Sequence, residues 1–150
     1  MNKGALALGV ALLHSGCVVS SAIEAARDEP EGTARFTQAD GSRNDFEAVS
    51  CGSGEHQLFL GADFADADNR TVRVVVDPRG AATLRYFDSS QPLEPGLLFH
   101  RADCERFELS LERTGWQIDE IYDLAVTIDF SCRLPSGATG AGALVATHCH

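Results

Sequence analysis

The chain has 150 residues, 44% of them hydrophobic, and its 12 basic and 22 acidic side chains give it a net charge of −10. This length allows one domain with a substantial core of its own. Nucleic acids and anionic membrane faces both attract clustered cations, so the acidic balance argues against these two partners.

The N-terminal end of the chain has the composition of an export signal. The first three residues include the positive Lys3, and the ten that follow, up to Leu13, carry no charge or strongly polar group. A positive start, a short apolar run and small residues before a cleavage point are typical of signal peptides. A helix needs about 20 apolar residues to cross a bilayer core, so segment 1–16 is predicted to be a cleaved signal and not a permanent anchor.

The signal segment ends in Leu13-His14-Ser15-Gly16, directly before Cys17. This ending resembles the lipobox of bacterial lipoproteins, although His14 stands where a lipobox usually has leucine. The resemblance implies cleavage before Cys17 and attachment of a diacylglycerol, with fatty-acyl chains such as palmitate, to the cysteine sulfur. Cys17 is therefore the predicted lipid-attachment residue.

The same resemblance implies a lipid-anchored protein of the bacterial cell envelope. Val18 follows the cysteine, where an aspartate can retain such proteins at the inner membrane. In a host with two membranes, the resemblance thus implies the outer one. The alternative is ordinary signal cleavage after Ala22, because small residues precede that position. This cleavage would give a soluble periplasmic or secreted domain.

Segment 17–44 is predicted to be an acidic, flexible tether. It contains the acidic run 28–32, and its apolar residues are sparse and without regular spacing. Such a composition buries too little apolar surface to offset the entropy of folding. The folded domain is accordingly predicted to span 45–150.

From residue 45 onward, apolar and polar residues alternate. In the longest run, every second residue from Tyr122 to Cys132 is apolar, and shorter runs follow the same period at 72–76 and 107–111. A period of two predicts half-buried antiparallel strands. Turn residues such as those at 77–80 separate the runs. Further strands are predicted at Phe46–Cys51, His56–Leu60, Ala81–Phe87 and Leu97–His100, so the fold class is an all-β, antiparallel β-sandwich or barrel of about 7–9 short strands.

Four cysteines follow Cys17: Cys51, Cys104, Cys132 and Cys149. An even number in an exported chain predicts two disulfides. If the strands after residue 103 form an antiparallel meander, Cys104 and Cys132 lie near one end of it and Cys149 near the other. The favoured pairing is then Cys104–Cys132 with Cys51–Cys149, although sequence alone leaves the other pairings open.

Two groups of residues are candidates for metal binding. Asp63, Asp66 and Asp68 form an oxygen-rich stretch of the kind that holds Ca²⁺, and His148 and His150 flank the last cysteine. For the aspartates we favour a solvated turn, because aspartate binds its own backbone in turns. For the histidines we favour a polar tail around a disulfide cysteine, from which they point away in a strand. We therefore predict no metal and no cofactor.

The sequence contains no nucleophile elbow, P-loop, dinucleotide-binding glycine pattern or zinc-protease motif. Trp116 is a candidate binding-surface residue for sugar or peptide, although a place in the core is favoured for so large an aromatic side chain. We predict a non-enzymatic structural or binding module of the envelope, with an unknown envelope protein or glycan as partner. The alternative is a soluble exported domain that binds a small ligand or an ion such as calcium or zinc.

Overall fold

The computed structural model describes residues 29–88 and 95–150, which consist mainly of β-strands. The strands are β1 (Glu31–Thr37), β2 (Arg43–Glu47), β3 (Ser50–Ser53), β4 (Leu60–Ala65), β5 (Thr71–Val76), β6 (Ala82–Phe87), β7 (Leu97–His100), β8 (Cys104–Ile118), β9 (Ile121–Arg133) and β10 (Thr139–Cys149). Within these two ranges the helical segments are two short 3-10 helices, Gly54–Gln57 and Arg101–Asp103. The all-β class is confirmed, with ten strands in place of the seven to nine expected.

The strands form two five-stranded antiparallel sheets. Sheet A has the order β2-β1-β10-β9-β8, and sheet B has the order β3-β4-β5-β6-β7. Sheet B is thus a meander of consecutive strands, whereas sheet A pairs the first strand of the described chain with the last. The two sheets share one core, so the predicted sandwich is confirmed.

Stacked aromatic rings join the two sheets at the centre of the core. Phe36 of β1 lies against Tyr86 of β6, with ring centroids 4.0 Å apart and planes 7° from parallel. Phe130 of β9 lies 5.9 Å from the Phe36 ring, and Phe99 of β7 lies 6.4 Å from it. All four side chains are 0% exposed. Phe36 therefore connects strands of both sheets.

The prediction of a tether at 17–44 is wrong from Glu31 onward. Strand β1 pairs with β2 on one side and with β10 on the other, and its Ala34 and Phe36 are buried. Composition misled here because two well-placed apolar side chains suffice when a strand has two partners to bond its backbone. Residues 17–28, with the lipid-attachment candidate Cys17, lie outside the described residues.

Two of the predicted strands are also corrected. The strand expected at Phe46–Cys51 is split, because β2 ends at Glu47 in sheet A and β3 begins at Ser50 in sheet B. The strand expected at His56–Leu60 is not formed: its first two residues belong to a 3-10 helix, Gly54–Gln57, whose first turn is capped by the Ser53 hydroxyl, and a turn follows. Strand β4 starts only at Leu60.

The favoured disulfide pairing is confirmed. Cys104–Cys132 joins neighbouring strands of sheet A, whereas Cys51–Cys149 joins edge strand β3 of sheet B to the end of β10 in sheet A. Cys51 and Cys149 lie 98 residues apart in sequence, whereas Cys104 and Cys132 lie 28 residues apart. Two disulfides are typical of exported proteins in an oxidising compartment. None of the helices within 29–88 and 95–150 is long and apolar enough to cross a membrane.

Gly32 provides a direct test of the ordered N-terminal strand. Its φ is +117°, and a Cβ there would overlap the carbonyl oxygen of Ala143 and lie 2.9 Å from the Leu144 Cα. We expect Gly32→Ala to lower the free energy of unfolding by about 2 kcal/mol or more, as measured by urea denaturation.

Gly41→Ala is the matched control for this substitution. Gly41 also has a positive φ, +87°, but a Cβ there meets nothing within 4 Å. Gly41→Ala should therefore lower the free energy of unfolding clearly less than Gly32→Ala does. Equal losses for Gly32→Ala and Gly41→Ala would contradict the packing of β1 against β10.

Candidate metal centre

Asp123 lies on the face of β9 that points away from the core. Its neighbour Leu124 points inward and is 0% exposed, as the alternation requires. Asp123 is nevertheless only 1% exposed, which is unusual for a carboxylate on the outer face of a sheet. Neighbouring strands must therefore cover it.

Irregular pairing on both sides of β9 provides this cover. In β10, two residues between Ala146 and Cys149 lie opposite a single residue of β9. In β8, three residues between Arg113 and Gln117 lie opposite Asp123 alone. Extra residues in a strand bend it and redirect its side chains, and such bulges are frequent beside functional sites.

Two imidazoles and a hydroxyl surround the Asp123 carboxylate. His148 Nδ1 lies 2.6 Å from Asp123 Oδ2, and the Thr114 hydroxyl donates a hydrogen bond to the same oxygen. His150 Nδ1 lies 3.3 Å from Asp123 Oδ1. The two imidazole rings are nearly parallel, at 9°, while Cys149 between them is buried in the core. The histidines share a face opposite the cysteine, as strand geometry predicted.

One carboxylate oxygen of this cluster is incompletely satisfied. Among the residues that the structure describes, none makes a hydrogen bond to the buried Asp123 Oδ1, although His150 Nδ1 lies 3.3 Å from it. A buried polar atom without a partner costs roughly 1–3 kcal/mol. The ligand atoms of Asp123, His148 and His150 all lie within 4.8 Å of one another. In the part of the chain that the structure describes, no other three His, Cys, Asp or Glu residues are grouped in this way.

The aspartates that were considered as calcium ligands are bound to arginines. Asp63 lies inside β4, not in a loop, and its two oxygens each bond Arg73 at 2.7 Å. This hydrogen-bonded pair raises the pKa of Arg73. Asp63 is thus separated from the turn that holds the other two aspartates.

Asp66 is the centre of a tight turn. Its Oδ1 accepts hydrogen bonds from the backbone N–H groups of Asp68 and Arg70, and its Oδ2 lies 2.6 Å from the Arg70 guanidinium. Asp68 also lies 3.2 Å from that guanidinium. These contacts agree with the turn interpretation, although Asp66 is buried and not solvated.

Trp116 lies on the irregular part of β8, beside the candidate centre. Its side chain is 70% exposed, so the place in the core that we favoured from sequence is wrong. Its backbone N–H donates to the Thr114 hydroxyl, which itself bonds Asp123. The only tryptophan of the chain is therefore two hydrogen bonds from the buried carboxylate.

Glu55 fixes the strand segment that precedes Asp123. From its 3-10 helix, Glu55 accepts a hydrogen bond from the Tyr122 backbone N–H at 3.0 Å and pairs with Arg113 at 2.6 Å. The Arg113 guanidinium lies 4.0 Å above the Tyr122 ring. The hydrogen bond from the Tyr122 N–H lowers the pKa of Glu55. Burial opposes this shift, and the hydrogen bond and charge of Arg113 add to it.

This lowered pKa predicts how stability depends on pH. Because the pKa of Glu55 is lower in the folded than in the unfolded chain, its contribution to stability is present at neutral pH. It is lost as the pH falls below about 4, toward the folded-state pKa. We expect Glu55→Gln to be less stable than the wild type at pH 7, with the difference shrinking on acidification.

Urea unfolding between pH 7 and pH 3 measures this dependence. Glu47→Gln is the matched control, because Glu47 is an exposed strand residue. A constant difference between Glu55→Gln and wild type across the pH range would contradict the role given to Glu55.

Asp123, His148 and His150 together offer two imidazole nitrogens and a carboxylate oxygen, a ligand set that divalent transition metals accept. Three protein ligands leave further positions of such an ion to water or another ligand. No protein-family model, curated protein or solved structure matches the chain. The candidate function accordingly depends on the geometry of these three residues.

Proposed function

We propose that this protein is a non-enzymatic exported binding module whose ligand is a divalent transition-metal ion, held by Asp123, His148 and His150. The observation that carries the proposal is the buried Asp123 Oδ1, which has no hydrogen bond and faces an imidazole nitrogen 3.3 Å away. Buried polar atoms are seldom left without a hydrogen bond, so this oxygen calls for a further partner. An ion between the carboxylate and the imidazoles would satisfy it.

The spacing of the ligand atoms supports an ion of the zinc class. Zinc binds imidazole nitrogen and carboxylate oxygen at about 2.0–2.2 Å, so tetrahedral ligands lie roughly 3.3 Å apart. His148 Nδ1 lies 2.6 Å from Asp123 Oδ2, and His150 Nδ1 lies 3.3 Å from Asp123 Oδ1. Because one ligand atom of each residue lies within 4.8 Å of the others, shifts on the order of an ångström would admit the ion. Calcium prefers oxygen ligands, and this favours a transition metal over the calcium considered from the sequence.

Titration of the purified full chain with zinc tests the proposal. We expect one equivalent to bind in calorimetry, to change Trp116 fluorescence and to raise the thermal midpoint, because a ligand of the folded state stabilises it by about 2.7 kcal/mol at 100 times its Kd. Calcium should do none of these.

Histidine variants separate the site from adventitious binding. His148→Ala and His150→Ala should each weaken zinc binding, whereas His56→Ala, which removes an exposed histidine of the 3-10 helix, should not. Zinc binding of equal strength in all three variants would overturn the proposal.

We further propose that a lipid on Cys17 anchors the domain to the bacterial cell envelope, at the outer membrane of a host with two. The lipobox resemblance supports the anchor, and the two disulfides support the exported location. The exposed Trp116 is the candidate contact with an envelope protein or glycan.

The intact mass of protein purified from its native host membrane tests the anchor. A mature chain that starts at Cys17 and carries added acyl mass is the expected result. A lipid-free chain that starts at Ile23 would contradict it and would indicate a soluble periplasmic or secreted domain.

A further inference from the structure

The Cys51–Cys149 disulfide lies at the metal centre, since Cys149 separates the two histidine ligands. Its side chain is 0% exposed and points into the core, while His148 and His150 lie on the opposite face. Cys51 belongs to edge strand β3 and is half-buried. The bond therefore holds the backbone of both imidazoles against the other sheet.

The regular backbone ladders of β10 end before its last residues. Its ladder with β1 stops at Val145, and its ladder with β9 is interrupted after Ala146 and resumes only at Cys149. Beyond Cys149, the backbone carbonyl of His150 accepts one hydrogen bond from the Ser53 N–H at 3.1 Å. Chain ends that extend past the regular ladder fray unless they are tied down. The disulfide is the covalent constraint at this end.

We propose that this disulfide gates the metal site, so that the protein captures metal only in its oxidised, exported form. The inference rests on the proposed metal-binding function. With Cys51 and Cys149 as thiols, the last three residues separate from β3, and the two imidazoles no longer converge on Asp123. Apparent affinity falls in proportion to the fraction of molecules in which the site is assembled.

The chemistry of the gate is thiol–disulfide exchange. A disulfide-bearing oxidant accepts the two electrons of the Cys51 and Cys149 thiols through a mixed disulfide, leaves as a dithiol, and closes the site. A dithiol reductant reverses the reaction and opens it. In the reducing cytoplasm the cysteines stay thiols, and metal capture waits for export.

The second disulfide of the chain provides the matched control. Cys104–Cys132 joins residues that are already opposite each other in the paired strands β8 and β9, so its loss leaves the ends of those strands in place. We compare zinc binding by calorimetry for the oxidised full chain, for Cys51→Ser with Cys149→Ser, and for Cys104→Ser with Cys132→Ser. Serine removes each thiol as a competing zinc ligand.

The first double variant should bind zinc at least about 10-fold more weakly than the oxidised wild type, which corresponds to a site assembled in less than a tenth of the molecules. The control should stay within about 3-fold. Equal affinity of both double variants and wild type would overturn the gate while leaving the proposed function intact. Failure of the oxidised wild type to bind zinc would overturn the proposed function itself.

If Cys51→Ser with Cys149→Ser does not fold, a zinc-release experiment on the wild type tests the gate. Zinc-loaded wild type is treated with a phosphine reductant, released zinc is followed with a colorimetric indicator, and alkylation with mass spectrometry reports which disulfide has opened. Release that coincides with opening of Cys51–Cys149 supports the gate. Release that follows only the opening of Cys104–Cys132, or no release after Cys51–Cys149 has opened, contradicts it.

Discussion

Asp123→Asn should nearly eliminate zinc binding while preserving the fold. The amide has the same shape as the carboxylate and still accepts the hydrogen bond from Thr114, but it lacks the negative charge and is a poor metal ligand. Replacing a residue that hydrogen-bonds to a metal ligand typically lowers metal affinity roughly 10–100-fold. Replacing the ligand itself should lower the affinity by more than that. Calorimetric titration with zinc measures it.

Asp129→Asn is the control for this substitution. Asp129 lies on the same face of β9, six residues further along, where it pairs with Arg106 at 2.8 Å. We expect this variant to bind zinc as the wild type does. If Asp123→Asn binds zinc equally well, or if both variants lose binding together, the assignment of Asp123 as a ligand is wrong.

Phe36→Ala should produce the largest loss of stability of any single change discussed. Phe36 is 0% exposed and stacks on Tyr86 of the other sheet, so its removal leaves a cavity where β1, β6 and β9 meet. Substitutions of this kind cost about 3–5 kcal/mol. Urea unfolding with linear extrapolation measures the loss.

Leu58→Ala tests whether this loss is specific to the core. Leu58 is 96% exposed, and its truncation should change the free energy of unfolding by no more than about 0.5 kcal/mol. A loss below about 1 kcal/mol for Phe36→Ala would contradict a core that joins both sheets through this ring.

The regular strands could be predicted from the sequence because one of their faces is solvated and the other buried. Strand β9 shows this most clearly, since its buried positions from Leu124 to Cys132 follow the apolar alternation. The disulfide pairing followed from the same pattern, because the meander fixes which ends of the strands meet. Tertiary pairing that depends on distant strands was harder to predict, as β1 shows: its partner β10 lies at the other end of the chain.

The candidate centre could be predicted only in part. His148 and His150 were considered because they flank Cys149, but the alternation that turns them away from it led us to favour a polar tail over a metal site. Asp123 gave no signal of its own, because it occupies an ordinary polar position in the β9 alternation. Its burial depends on the irregular pairing of β8 and β10, and the number of residues opposite Asp123 is not readable from local sequence. The same irregularity places Trp116 on the surface.

The most direct test of the metal centre is a crystal structure of the protein grown with zinc, with diffraction recorded on both sides of the zinc absorption edge. We expect an anomalous peak about 2.0–2.2 Å from an Asp123 carboxylate oxygen and from one nitrogen each of His148 and His150. Bound zinc at other residues only, or an Asp123 carboxylate that keeps its present contacts at saturating zinc, would contradict the centre.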